Sequence, residues 1–309
     1  MRVTVVGSGF VGQTTAMRLV QDGLAEVVLI DIVEGLPQGL ALDIRQSAPV
    51  VGFEPLVTGT NDYTDTAGSD VVVMTAGFPR QPGMSRMDLL ERNAGIVRDV
   101  IEKVVPGSPD AILIIVTNPL DEMTYLAASV SGFPRERVMG MAGVLDSARL
   151  RAFIAEELSV SPSVVRAMTL GSHGESMVPL PRHATVDGTP LAGLVDAETL
   201  ERLYARTRDA GAEIVGLLKK GSAYYAPSAS VAQMVEAIAR GSSDPLPVCA
   251  WCTGQYGIDG VYVGVPVRLS RDGVAEIVEL DLNDHELASL RAAAEGIRAK
   301  CADLAGLSN

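Results

Sequence analysis

The sequence predicts an α/β chain in two parts, a doubly wound parallel sheet over residues 1–143 and an α+β domain over 144–309. Three observations predict it. A β-branched run, Arg2-Val3-Thr4-Val5-Val6, ends directly in Gly7-Ser8-Gly9-Phe10-Val11-Gly12, which reads as a strand entering a glycine turn. Short apolar runs then alternate with helical patterns through about Gly140, as in parallel strands joined by crossover helices. Past Gly143 the pattern changes to longer helices interleaved with strands that read as antiparallel.

After the glycine turn, Val11, Thr14, Thr15, Arg18 and Leu19 recur at helical spacing, and the pattern stops near Gly23. A second apolar run, Val27-Val28-Leu29-Ile30, ends at Asp31. The unit is strand, glycine turn, helix, strand, the setting in which G-x-G-x-x-G has a physical meaning. Gly7 allows the tight turn, Gly9 lets a pyrophosphate approach the backbone, and Gly12 lets the helix pack closely on the strand. Asp31 lies where a carboxylate reaches both ribose hydroxyls and repels a 2′-phosphate. The expectation is a Rossmann domain that binds NAD rather than NADP.

Two further runs, Asp70–Thr75 and Ala111–Val116, read as buried parallel strands. Ligands bind beyond the carboxyl ends of such strands, so the loops that follow them are the informative ones. The first loop, Gly77 to Arg86, is punctuated by proline and glycine, carries Arg80 and Arg86, and leads into a helix from Met87 or Asp88 to Val105. It reads as a mobile lid with cationic contacts. The second, Thr117-Asn118-Pro119-Leu120, presents the Asn118 amide at a strand end.

In the second part, helices are expected over 199–219 and 228–240, strands over 260–269 and 274–279, and a last helix from Asn283. Its chemistry centres on Gly171-Ser172-His173-Gly174, 27 residues after Asp146-Ser147-Ala148-Arg149. Histidine is the side chain whose ordinary pKa lies nearest neutrality, so a buried carboxylate partner can poise it to take and return a proton. His183 and His285 are expected to be structural. Cys249-Ala250-Trp251-Cys252 forms a C-x-x-C, but inside a strand-like apolar segment where cysteines serve as small buried residues. No metal site is expected, because no second pair completes four ligands.

Composition bounds the partners. The chain has 309 residues, 47% hydrophobic and 20% charged, enough for one or two sizeable cores. Its apolar stretches are too short to span a bilayer, and Met1-Arg2 leads into a strand, so no membrane association and a cytoplasmic location are expected. The net charge of −13 argues against nucleic acid, since the lysines and arginines gather nowhere beyond Lys219-Lys220. An anionic substrate would have to be drawn by arginines concentrated inside a cleft.

Taken together in order and spacing, the glycine turn with Asp31, the segment Ala76–Arg86, Val116-Thr117-Asn118-Pro119, Gly143–Arg149 and Gly171–Gly174 resemble the NAD-dependent lactate/malate dehydrogenase superfamily, and within it the lactate-dehydrogenase-like malate dehydrogenases. The resemblance runs from Val3 to the C-terminal helix. It implies that His173 exchanges a proton with the C2 hydroxyl of malate, or with the C2 oxygen of oxaloacetate. It implies that Asp146 orients the imidazole, Arg149 clamps the C1 carboxylate, Arg86 polarises the C2 carbonyl and Asn118 hydrogen-bonds the same oxygen. NAD would be held by Gly7, Gly9, Phe10, Val11, Gly12, Asp31, Thr75, Ala76, Gly77, Asn93, Val116 and Asn118. Arg80 matches the lid arginine that receives the second carboxylate of oxaloacetate, where lactate dehydrogenases typically carry glutamine, and Ala223 stands where those enzymes carry threonine. One departure is Glu175, where family members commonly have aspartate. The resemblance also implies a homotetramer or homodimer. Two alternatives remain open, a lactate-specific enzyme and a dinucleotide-binding scaffold that has lost activity.

Overall fold

The computed structural model describes residues 1–79, 84–174 and 176–306. Its first half runs β1 (Arg2–Val6), α1 (Phe10–Gln21), β2 (Glu26–Ile30), α2 (Leu36–Val51), β3 (Val57–Thr60), β4 (Val71–Met74), α3 (Arg86–Val104), β5 (Ile112–Ile115), α4 (Leu120–Ser131) and β6 (Val138–Gly140). The six strands pair in parallel in the order β3-β2-β1-β4-β5-β6. Because side chains alternate along a strand, each strand buries residues on both faces. Val3, Val5, Val27, Leu29, Val71, Val73, Ile112 and Ile114 enter one core, while Val6, Ile30, Val72, Met74, Leu113 and Ile115 enter the other. The near-continuous apolar runs of the sequence follow from this double burial.

The strand order reverses between β1 and β4, which opens a crevice at their carboxyl ends. Gly7, Asp31, Thr75 and Val116 each directly follow the end of β1, β2, β4 or β5 and so gather at that edge. Gly7 has φ +97°, a conformation that favours glycine. A Cβ on Gly12 would stand 1.8 Å from the Gly7 carbonyl oxygen. Only glycine therefore lets α1 start this close to β1.

The second half contains α5 (Gly143–Leu158), β7 (Val165–Arg166), β8 (Thr169–Gly171), β9 (Met177–Pro179), β10 (Thr185–Val186), β11 (Thr189–Pro190), α6 (Ala197–Leu218), α7 (Tyr225–Arg240), β12 (Leu246–Thr253), β13 (Asp259–Ser270), β14 (Gly273–Ile277) and α8 (Asp284–Gly306). The antiparallel strands and long helices lie where the sequence expects them, within a few residues. Unforeseen is the continuity of the sheet: β12 pairs antiparallel with β6 through Cys249 and Gly140, and β13, β8, β9 and β14 extend it. Among the described residues the two halves share one eleven-stranded sheet, and a separate small sheet is formed by β11, β10 and β7. No helix of the described residues is long and apolar enough to cross a membrane.

Cys249, Cys252 and Cys301 are unpaired and buried. Burial pushes the Cys249 thiol up, and the Cys252 and Cys301 thiols to about 12. These are inert packing groups, as the strand context of the C-x-x-C suggests.

Gly12→Ala should lower stability by about 1–3 kcal/mol, since the added methyl has nowhere to go without moving α1. Urea unfolding followed by circular dichroism checks this. An unchanged midpoint would show that the turn has slack the structure does not contain.

Candidate active site

The candidate catalytic residues gather where β8 and α5 meet. Asp146 and Arg149 lie one turn apart on α5, on one face of the helix. His173 follows β8 by two residues, and Gly171, the last residue of β8, has φ +81°. His173 Nδ1 lies 2.9 Å from Asp146 Oδ2. Asp146 is buried, and the His173 side chain is 17% exposed. With Nδ1 engaged by a carboxylate, the tautomer that donates from Nδ1 leaves Nε2 free for a substrate. Burial by itself lowers the His173 pKa, but the Asp146 charge and hydrogen bond, with a further contribution from Asp121, outweigh it and hold the imidazole above its ordinary value.

Arg149 carries a largely buried guanidinium, its side chain 12% exposed, that few of the described residues satisfy. Nη1 reaches Asp146 Oδ1 at 3.5 Å, and Nε is buried without a hydrogen-bond partner. Burial lowers its pKa, while the Asp146 charge and hydrogen bond pull the other way. A desolvated guanidinium so sparsely paired calls for a planar anion, and a carboxylate is the match for its fork.

The cofactor edge is built from the sheet. Asp31 Oδ2 accepts the Ser8 N–H at 2.6 Å and Oδ1 accepts the Val33 N–H at 3.0 Å. These bonds aim the carboxylate across the glycine turn. The first turn of α1 has no side-chain cap at Gly9, and a Cβ there would meet nothing within 4 Å. Open backbone N–H groups at a helix start suit a pyrophosphate. Ser8 Oγ is buried without a partner, Ile32 and Val33 stand exposed directly after Asp31, and Phe10 is exposed at the start of α1. Exposed apolar side chains beside a carboxylate suit a flat base and a ribose, so these residues fit a dinucleotide.

Thr75 Oγ1 donates to the carbonyls of Val6 and Gly7, joining β4 to the glycine turn. Ala76 packs tightly enough beside Gly7 that a Cβ on that glycine would stand 2.7 Å from the Ala76 nitrogen. Gly77 follows on the surface, above Thr117. Val116 hydrogen-bonds Met74 through its N–H, and Asn118 is exposed at the end of that segment. Asn93, expected to contact the cofactor, is buried on α3. Its Oδ1 accepts the Phe78 N–H at 2.6 Å, and its Nδ2 donates to the carbonyls of Phe78 and Asn118 at 3.2 and 2.6 Å. The amide is thus spent on joining the two loops that flank the crevice. Val11 lies in the first turn of α1, its carbonyl accepting the Ser228 hydroxyl of α7 at 3.1 Å. Phe10 stacks on Tyr224, next to Ala223, with ring centroids 5.1 Å apart.

Arg80 and Glu175 lie outside the described residues, as does the side chain of Arg86, whose backbone opens α3. Ser85 caps that helix: its Oγ accepts the Asp88 N–H, and Asp88 returns the bond. His183 Nε2 lies 3.1 Å from the Asp281 carbonyl oxygen, a structural contact, and His285 is exposed on the first turn of α8.

A Rossmann-type sheet joined to a domain that supplies a paired histidine and a largely buried guanidinium is the arrangement that suits a nicotinamide-dependent dehydrogenase. Comparison with known proteins gives the family. Residues 1–140 match the lactate/malate dehydrogenase NAD binding domain and residues 143–305 the lactate/malate dehydrogenase alpha/beta C-terminal domain, so the chain belongs to the lactate/malate dehydrogenase family, and its cofactor is NAD. It is 52% identical over 303 residues to the malate dehydrogenase of Roseiflexus sp. (strain RS-1), covering 98% of each chain. It is 54% identical over 297 residues to that of Thermomicrobium roseum, covering 96% of each. The solved malate dehydrogenase from Salinibacter ruber superimposes with a TM-score of 0.95 at 49% identity, covering 100% of this chain and 99% of that one. A lactate dehydrogenase from Cryptosporidium parvum, complexed with lactic acid and NAD, gives 0.94 at 42% identity, covering 98% and 97%.

Asp146→Asn removes the charge that holds the imidazole up. The His173 pKa should then fall below the ordinary value of about 6.5, because burial is left with less to oppose it. Proton NMR titration of the three histidines checks this; an unmoved His173 resonance would mean that the contact carries no electrostatic weight.

Proposed function

We propose that the protein is an NAD-dependent malate dehydrogenase that interconverts (S)-malate and oxaloacetate. The observation that carries the reading is the largely buried Arg149 guanidinium, with an unpartnered Nε among the described residues, beside the His173–Asp146 pair. The names of the relatives supply the substrate; the residues supply the chemistry.

Arg149 binds the C1 carboxylate in two parallel bonds and so fixes the orientation of C2. His173 Nε2 then takes the proton of the C2 hydroxyl in malate oxidation and returns it in oxaloacetate reduction. Asp146 accepts from Nδ1 throughout and stabilises the imidazolium as it forms. Asn118 and Arg86 hydrogen-bond and polarise the C2 oxygen. Gly7 to Gly12, Asp31 and the segment Thr75–Gly77 hold NAD, which when bound supplies the hydride acceptor and, as NADH, the donor. The lid excludes water around the reacting atoms.

Specificity rests on Arg80. Oxaloacetate carries a second carboxylate that needs a cation in a desolvated site, whereas pyruvate ends in a methyl that leaves such an arginine unpaired. Ala223 leaves room for the larger substrate. A lactate dehydrogenase of the same fold is the competing reading, since one such enzyme superimposes nearly as well. The functional unit is a homodimer or homotetramer, an assembly supported by the apolar side chains of Leu42, Val50 and Val51 that α2 leaves exposed.

Oxidation of NADH with oxaloacetate or pyruvate, followed at 340 nm, separates the readings. Oxaloacetate should be strongly preferred. Arg80→Gln should cut kcat/KM for it by roughly 30- to 5,000-fold, the effect of unpairing one buried charge, while pyruvate turnover holds or rises. Reduction should decline as pH rises through the raised His173 pKa, because it needs the imidazolium; malate oxidation should rise over the same range. A wild-type preference for pyruvate would sink the assignment.

A further inference from the structure

Beneath the catalytic histidine lies a second carboxylate that the reaction scheme does not use. Asp121 occupies the first turn of α4, three residues past Asn118, and is 2% exposed. Its Oδ2 accepts the Ser172 hydroxyl at 2.6 Å and the His173 N–H at 3.2 Å, while Oδ1 is buried without a hydrogen-bond partner. A carboxylate desolvated this completely is costly unless its geometry is used. The bonds cross from the dinucleotide half to the catalytic half, and their donors are the histidine and the residue before it.

We propose that Asp121 is a positioning residue for the dehydrogenase reaction, anchoring the His173 loop to α4 so that the imidazole and Asn118 stay in register, and adding a second negative charge behind the histidine. The proposal deepens the malate dehydrogenase reading and rests on it for the reaction served. Asp146 orients the ring from α5; Asp121 holds the backbone that carries it.

The surroundings fit this role. Facing the pair are Asp146 and Arg149 from α5, Cys249 from β12, Cys301 from α8 and, on α4 itself, Glu122. Arg149 is the one cation in that group, and it acts against the protonated histidine. Burial pushes the Asp121 carboxyl up, with the Glu122 charge adding to the rise, and hydrogen bonds from Ser172 and the Cys249 thiol together with His173 oppose it. Its place in the first turn of a helix favours the charged form.

Two variants separate charge from tether. In Asp121→Asn the amide oxygen can still accept from Ser172 and from the His173 N–H, but the charge is gone. In Ser172→Ala the charge stays and one bond is lost. Proton NMR titration of His173 in the cofactor-free protein needs no activity, so it stands whether or not malate is the substrate. Asp121→Asn should lower the His173 pKa by about half a pH unit or more, and Ser172→Ala should move it less. In NADH-linked assays, Asp121→Asn should shift the alkaline limb of oxaloacetate reduction to lower pH by the same amount. Ser172→Ala should lower kcat roughly tenfold or more with a smaller change in KM, because misplacing a proton donor weakens the transition state rather than ground-state binding, whereas Asp121→Asn, which keeps the bonds, should act mainly through the shifted pH profile. An Asp121→Asn protein whose His173 pKa is unmoved would overturn the proposal. So would a folded Ser172→Ala protein with wild-type kcat. A wild type inactive on both malate and oxaloacetate, with the NMR shift intact, would remove the substrate assignment and leave the electrostatic role of Asp121 standing.

Discussion

The contact between His173 Nδ1 and Asp146 Oδ2, at 2.9 Å, is the constraint around which the site is arranged. It requires a helix and a strand from one half of the chain to converge beside the crevice of the other. The shared sheet provides this: β6 ends the parallel half, β12 pairs with it, and β13 brings β8 alongside. Gly171 and Gly264 face each other in that pairing, and a Cβ on Gly264 would stand 2.4 Å from the Gly171 carbonyl oxygen. Close approach of two backbones thus sets where the histidine loop begins.

Electrostatics then divides the molecule into a surface and an interior with opposite tasks. The chain carries a net charge of −13, which disfavours anions at long range, though salt screens that field beyond about 8–10 Å. Inside the cleft, among the described residues, Arg149 stands as a cation beside Asp146, its side chain 12% exposed, so a carboxylate placed there by the proposed reaction would meet a guanidinium already largely stripped of water. Asp146 serves two partners at once, keeping the guanidinium oriented on one oxygen and the imidazole on the other.

What could be read from the sequence was what is local. The β1, α1 and β2 unit announces itself because its glycines, helical periodicity and terminal Asp31 lie within thirty-one consecutive residues. His173, Asp146 and Arg149 were legible as residue types, and the structure brings them together. The two-residue strands of the small sheet left no periodic signal. Asn93 illustrates a different limit: a polar residue in a helix gives no sign of which loops it joins, and here it bonds residues 15 and 25 positions away. Asp121 is the sharpest case. It follows Asn118-Pro119-Leu120 as an ordinary acidic residue of a first helical turn, and its partner Ser172 is 51 positions distant. The continuity of the sheet across the two halves was equally hidden, since a single pairing between Gly140 and Cys249 creates it.

The most direct test of the account is a crystal structure of the protein with NADH and tartronate, a dicarboxylate that carries a hydroxyl as malate does and that NADH cannot reduce. The account predicts one carboxylate in bidentate contact with the Arg149 guanidinium and the hydroxyl within about 3 Å of His173 Nε2, with the second carboxylate turned toward the lid. Tartronate bound with its hydroxyl away from His173, or with Arg149 still unpaired, would contradict it.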